Sequence, residues 1–232
     1  MTLPLVRSSA LIPPIAPRLP SVPVEYDRQY QENLLNTLRL YFNTIDNFCQ
    51  PFSGNTGGAF LKFPFIAASD NAKQYATAAN TPTVIKWSTL DEGNGFTLNV
   101  NNTATAQVSG IYKITYSLQL ANNDNQAHNA VVWLRVNGST SAADVTNSTT
   151  IFTVAARKSA IEPTFVCGYS EVVFELTAGD SVGLWWGTNQ AATSGGATGL
   201  YIDYQAAQTT PMAYPAVPSA IGSITFVSAL YT

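Results

Sequence analysis

Charge is what this chain has least of. Its 232 residues include 11 Lys or Arg and 14 Asp or Glu, so charged side chains make up 11%, against about 25% in a usual soluble domain. A net charge of −3 supplies no basic footprint, so nucleic acid is not an expected partner. No apolar run approaches the roughly 20 residues that cross a bilayer, and no membrane partner is expected. The opening MTLPLVRSSALIPPIAPRLP has one early Arg and a short apolar patch broken by Pro13, Pro14 and Pro17. Those prolines spoil a signal-peptide core, and no small-residue cleavage site follows. Synthesis and assembly inside a cell, without export, is the expectation.

Chemistry-bearing residues are scarce too. The single histidine, His128, leaves one possible base for a Ser–His–Asp or Cys–His arrangement, and no nucleophile-elbow motif accompanies it. Cys49 and Cys167 lack CxxC spacing, which removes the common metal and redox motifs. Two buried free thiols are expected ahead of a bridge. Among carboxylates, Asp91-Glu92 reads as a solvated turn pair, while Glu171 and Glu175 share one strand face, turned to water or to a neighbouring subunit. Neither pair reads as a glycosidase dyad. Asn122-Asn123-Asp124-Asn125 supplies oxygens for calcium but only one carboxylate, and ordinary turn chemistry explains it. No cofactor is expected.

What is present is strand pattern. In GIYKITYSLQL, Gly110–Leu120, the residues Tyr112, Ile114, Tyr116, Leu118 and Leu120 alternate with Lys113, Thr115, Ser117 and Gln119. A period of two over this length is a strand with one face on a core. Further strands are predicted at Leu61–Ala67, Thr83–Trp87, Phe96–Val100, Ala130–Val136, Thr149–Ala155, Thr164–Leu176, Ser181–Trp186, Gly199–Gln205 and Ser223–Leu230. Asp91–Gly95 reads as a turn, Ala121–Gln126 as a polar loop, Asn137-Gly138 as a hairpin signal and Ala178-Gly179-Asp180 as a tight turn. Ten strands with no helical pattern among them indicate an all-β sandwich or barrel.

The front of the chain differs. Residues 1–24 form a proline-rich arm expected to be extended and unable to build its own core. Residues 25–57 hold a helix and a linker, with the helix over Glu25–Phe48, Glu25 and Asp27 in its first turn and Pro51 stopping it. Leu34, Leu38, Tyr41, Ile45 and Phe48 follow heptad spacing, widened by Leu35 and Phe42. Such a seam needs a partner: either the chain's own β-domain or, the favoured reading, copies of the same helix. The β-domain is assigned to 58–232. Trp185, Trp186, Tyr201 and Tyr204 fill a core or form a sugar-stacking surface; Trp185 and Tyr201 are the candidate ligand residues.

Two resemblances attach to these stretches. GIYKITYSLQL, FELTAGDSVGLWW and SAIGSITFVSAL resemble, in order and spacing, the central, turn-flanked and closing strands of C1q/TNF-like domains. That resemblance implies a ten-stranded jelly-roll sandwich forming a homotrimer; no collagen repeat or transmembrane anchor precedes it. PVEYDRQYQENLLNTLRLYFNTIDNF resembles an N-terminal segment of marine tailed-phage virion proteins, LRLYFN most clearly. This implies a virion protein, assembled in the host cytoplasm, that docks on a major capsid or other virion protein through residues 1–50, with Leu11, Ile12, Pro13, Pro14, Ile15 and Pro17 as the anchor. A capsid decoration or short head-fibre protein fits the size; the alternative is a tail receptor-binding knob recognising a host glycan.

Overall fold

The computed structural model describes residues 14–21, 23–53, 63–194 and 196–230, with backbone alone at 51–53. These residues fall into two compact units, meeting in sequence between Ser53 and Phe63. In the first, residues 14–21 and 23–27 carry no regular secondary structure, and a single helix, α1, spans Arg28–Ser53. The helix starts three residues later than Glu25. Asp27 is its cap rather than a first-turn acid: the carboxylate accepts from Gln29 N–H at 2.8 Å, and its carbonyl accepts from Gln31 N–H at 3.2 Å. A capping carboxylate both satisfies an orphan donor and opposes the helix dipole. The helix also passes Pro51 instead of stopping before it. Proline there removes one hydrogen bond near an end whose last carbonyls lack helical partners in any case.

In the second unit, thirteen strands are present among the described residues: β1 Phe65–Asp70, β2 Gln74–Tyr75, β3 Thr83–Val84, β4 Thr89–Asn94, β5 Phe96–Leu98, β6 Ala104–Ala106, β7 Gly110–Asn122, β8 His128–Val136, β9 Thr150–Val154, β10 Thr164–Leu176, β11 Ser181–Thr188, β12 Leu200–Ile202 and β13 Ala220–Ser228. Ten correspond to expected strands, and β2, β4 and β6 are additional. The expected turn at Asp91 lies within β4, which pairs with β1 across a bulge between Ala67 and Ala68. Ala121 and Asn122 continue β7 instead of opening a loop. The Asn137-Gly138 step does not close a two-residue hairpin: β8 and β9 pair antiparallel, but the connection between them includes a short 3-10 turn at Ser141–Ala143.

The strands form two antiparallel sheets. β10 holds one edge of β7 along all of Gly110–Asn122, so β13 and β12 share the other edge, opposite residues 111–118 and 120–122 respectively. The first sheet therefore runs β4-β1-β13-β7-β10, with β12 and β2 filling its far end; the second runs β5-β6-β11-β8-β9, with β3 beside β6 on β11. From β7 onward the chain passes to the second sheet for β8 and β9, back for β10, across for β11 and back for β12 and β13. This alternation between facing sheets is a jelly-roll sandwich.

β7 supplies the centre of the core. Tyr112, Ile114, Tyr116, Leu118 and Leu120 are all buried, facing Val132, Leu134, Leu184 and Trp186 from the second sheet. Burial contributes roughly 1.5–3 kcal/mol for each large apolar side chain. Gly222 makes room for Trp87: a Cβ at 222 would meet the indole at 2.4 Å. A void of about 30 Å3 between Trp87, Ile114 and Leu184 would hold one water at most and is apolar.

Candidate functional site

The outward face of the first sheet carries a run of exposed apolar side chains. Along β10, alternate residues Phe165, Cys167, Tyr169, Glu171, Val173 and Glu175 point out, opposite Ala121, Gln119, Ser117, Thr115, Lys113 and Ile111 of β7. Tyr169 and Val173 are 58% and 59% exposed, and Ile221 and Val227 of β13 extend the patch. Its one ion pair, Lys113 Nζ–Glu171 Oε2 at 3.6 Å, is solvent-exposed. A shallow groove of about 180 Å3 runs between Tyr169, Ile221 and Ser223. β10 pairs with β7 alone among the described strands, so thirteen residues present a second, unpaired edge. Long, apolar, unpaired edges invite pairing with another chain.

Both cysteines are exposed, against the expectation of burial. Cys167 lies on the outward face of β10, where the period of two carries it away from the core. On α1, Leu34, Leu38, Tyr41, Ile45 and Phe48 are half-buried along one stripe, while Leu35 and Phe42 beside them are exposed. Of the arm, Ile15 is 86% exposed and Pro14 and Pro17 are half-buried. Leu11, Ile12 and Pro13 lie outside the described residues, as does most of the joint after Ser53.

His128 sits in a closed relay. Asn189 Oδ1 accepts from the Asn129 backbone N–H at 3.0 Å, which fixes the amide so that its Nδ2 donates to His128 Nδ1 at 3.2 Å. The ring is therefore protonated at Nε2, 2.7 Å from Asp124 Oδ2. That bond is the main reason the Asp124 carboxyl is held below its ordinary range. Both ring nitrogens are thus engaged by neighbouring side chains. The neighbouring amides are engaged as well: Asn122 Nδ2 donates to the carbonyls of Gln126 and Ala155, and Asn123 Oδ1 accepts from Gly199. Among the described residues no group of three His, Cys, Asp or Glu could hold a metal.

Trp185 and Tyr201 do not share a surface, because β11 and β12 belong to different sheets. Tyr201 is 7% exposed, stacked on Tyr75 and 5.3 Å below Lys73 Nζ, which pairs with buried Asp203 at 2.9 Å. That carboxylate holds the ammonium above its usual range, and burial pushes the Tyr201 hydroxyl up. The edge of Tyr201 lines a cleft of about 290 Å3 with Arg157 and Glu162. Trp185 lies under a cation: Arg135, 4% exposed, is stacked 4.3 Å from its ring centroid and 5.5 Å from that of Trp133. Arg135 Nε donates to Asp144 Oδ1 at 2.6 Å, and Trp133 Nε1 donates to the same oxygen at 2.8 Å. Sequence reasoning passed over Trp133, Arg135 and Asp144. The clue lay in AVVWLRV and SVGLWW, two strand patterns that put aromatic rings on outward positions.

No family model matches the chain, and no curated protein matches it. Solved structures similar to it include the globular domain of zebrafish complement 1qA protein, at 14% identity and a TM-score of 0.43, covering 72% of this chain and 99% of that one. Another is a TNF, Eiger, from S. frugiperda, at 12% identity and a TM-score of 0.46, covering 74% and 97%.

Proposed function

We propose that the chain is a homotrimeric, non-enzymatic structural protein of a tailed-phage virion, a capsid decoration or short head-fibre protein. In this reading the arm and helix grip a major capsid or other virion protein, and the jelly roll projects outward. The observation that carries it is the outward face of β10, β7 and β13, with Tyr169, Val173, Ile221 and Val227 in water beside an unpaired thirteen-residue edge. A lone subunit gains nothing from that surface, whereas three copies around an axis cover it. The seam on α1 adds a second surface: its residues are half-buried, so covering their remainder would contribute less than the roughly 1.5–3 kcal/mol each of a full burial. Three arms held together raise the effective concentration at the particle, so modest affinity per arm suffices.

Light scattering on the purified full chain tests the assembly: a mass three times 24.8 kDa is expected, and a compact single subunit at micromolar concentration overturns it. Removing residues 1–24 is expected to leave trimers that no longer bind particles; normal decoration by such trimers overturns the anchoring role.

A further inference from the structure

We propose that the outward face of the second sheet carries a binding groove for a neutral saccharide, built around Trp133 and distinct from the assembly surface. The groove, about 370 Å3, is bounded by Asn80, Pro82, Asn129, Trp133, Gly187 and Asn189. That volume lies in the range of small-ligand clefts.

Three features assign the ligand class. Trp133 supplies a large apolar ring held in place from behind: its N–H is tied to Asp144, and the neighbouring guanidinium lies closest to Trp185. The side toward the groove stays open because β11 places a glycine there. A Cβ at Gly187 would stand 3.8 Å from Trp133 Cη2 and 3.9 Å from Cζ3, so any side chain would occupy the space against the ring. Around the ring stand three carboxamides, each offering donor and acceptor. Asn189 is locked by its bonds to Asn129 N–H and His128. Asn129 Oδ1 accepts from Thr153 at 2.8 Å, which leaves donation to its NH2. Asn80, at φ +57, is exposed in the loop before β3.

No charged side chain lines the groove. An acidic sugar or a nucleotide would find no cation there, whereas a pyranose presents C–H groups to the ring and hydroxyls to the amides. A proline-rich peptide would also stack on an indole and offer carbonyls to the amide NH2 groups, but with few N–H groups it supplies fewer donors and fewer bonds per unit length than a pyranose's hydroxyls. The proposal goes beyond the virion reading and does not depend on where the protein sits on a particle.

Titrating the full chain with lactose, maltose and chitobiose, followed by saturation-transfer NMR and tryptophan fluorescence, tests the groove. Sialyllactose and a proline-rich peptide serve as competitors. At least one neutral disaccharide is expected to bind saturably. Gly187→Val, whose Cβ makes only ordinary contacts, is expected to weaken binding at least tenfold with circular dichroism and subunit mass unchanged. Asn80→Gly keeps the left-handed backbone, removes one amide, and is expected to weaken binding several-fold; it also decides the matter if the valine variant folds poorly. Absence of binding by all three sugars, binding indifferent to both variants, or preference for sialyllactose or the peptide overturns the proposal. Because subunit mass is read separately, its failure is distinct from failure of the trimer.

Discussion

At position 135 a guanidinium lies almost wholly out of water on the outer side of a sheet, covered by two indoles, a carboxylate and the Ser139 carbonyl. Without its anion such a charge would be costly, since breaking a buried pair leaves an uncompensated ion. Arg135 in turn is the first cause of the depressed Asp144 carboxyl, with the Trp133 N–H assisting. A depressed carboxyl contributes stability above the ordinary value of about 3.9 and loses it as pH falls through the lower, folded value. Asp124, depressed mainly by its His128 bond, acts in the same direction. Urea midpoints are therefore expected to fall as pH drops below about 4. Asp144→Asn should lower stability at pH 7, and with it the urea midpoint, by more than the roughly 1 kcal/mol of an ordinary hydrogen bond, because it leaves the Arg135 charge without its anion, and should show a smaller fall in acid. An unchanged acid limb in the variant would mean that this carboxylate does not titrate with unfolding.

A strand that repeats every second residue advertises itself, and β7 and β10 were legible in sequence to within two residues at each end. Two of the shortest strands, β2 and β6, were not. Gln74–Tyr75 and Ala104–Ala106 are too short for a period to show, and they exist because β12, β5 and β11 offer them an edge. β4 reads as a turn since Asp91, Gly93 and Asn94 are turn formers; tertiary pairing with β1 overrides that propensity. The helix itself was legible from its heptad spacing, while its true start depended on which acid caps it. Trp133 was hidden by a different limit: alternation says that a ring points outward, not that Gly187 on the next strand leaves space beside it. For the assembly face, a two-residue test is available within β10. Tyr169→Asp with Val173→Asp adds charge to exposed positions, so subunit stability should change by no more than about 0.5 kcal/mol per site. The particle mass should drop from trimer to monomer. A trimer that tolerates both aspartates would move the interface off this sheet.

In the proposed trimer the two units carry assembly surfaces whose contributions can be separated by truncation. Among the described residues, every buried member of the main hydrophobic cluster lies between Ile66 and Ile224. The first residues of the β unit are nonetheless part of it. Phe63 stacks on Phe226 at 6.2 Å, its carbonyl accepts from Asn94, and Pro64 O accepts from Phe226 N–H at 3.0 Å. A fragment 63–232 is expected to fold cooperatively, with a dispersed amide spectrum and one thermal transition. A fragment starting at Phe65 loses both hydrogen bonds and the ring contact, and should be weaker by about 1–3 kcal/mol. The mass of the longer fragment then discriminates between the two assembly surfaces. If the sheet face carries the subunit contact, 63–232 remains trimeric without any helix. A fragment that folds fully yet runs as a monomer assigns association to Leu34, Leu38, Tyr41, Ile45 and Phe48, and leaves the exposed face of β10 to some partner other than a second copy of itself.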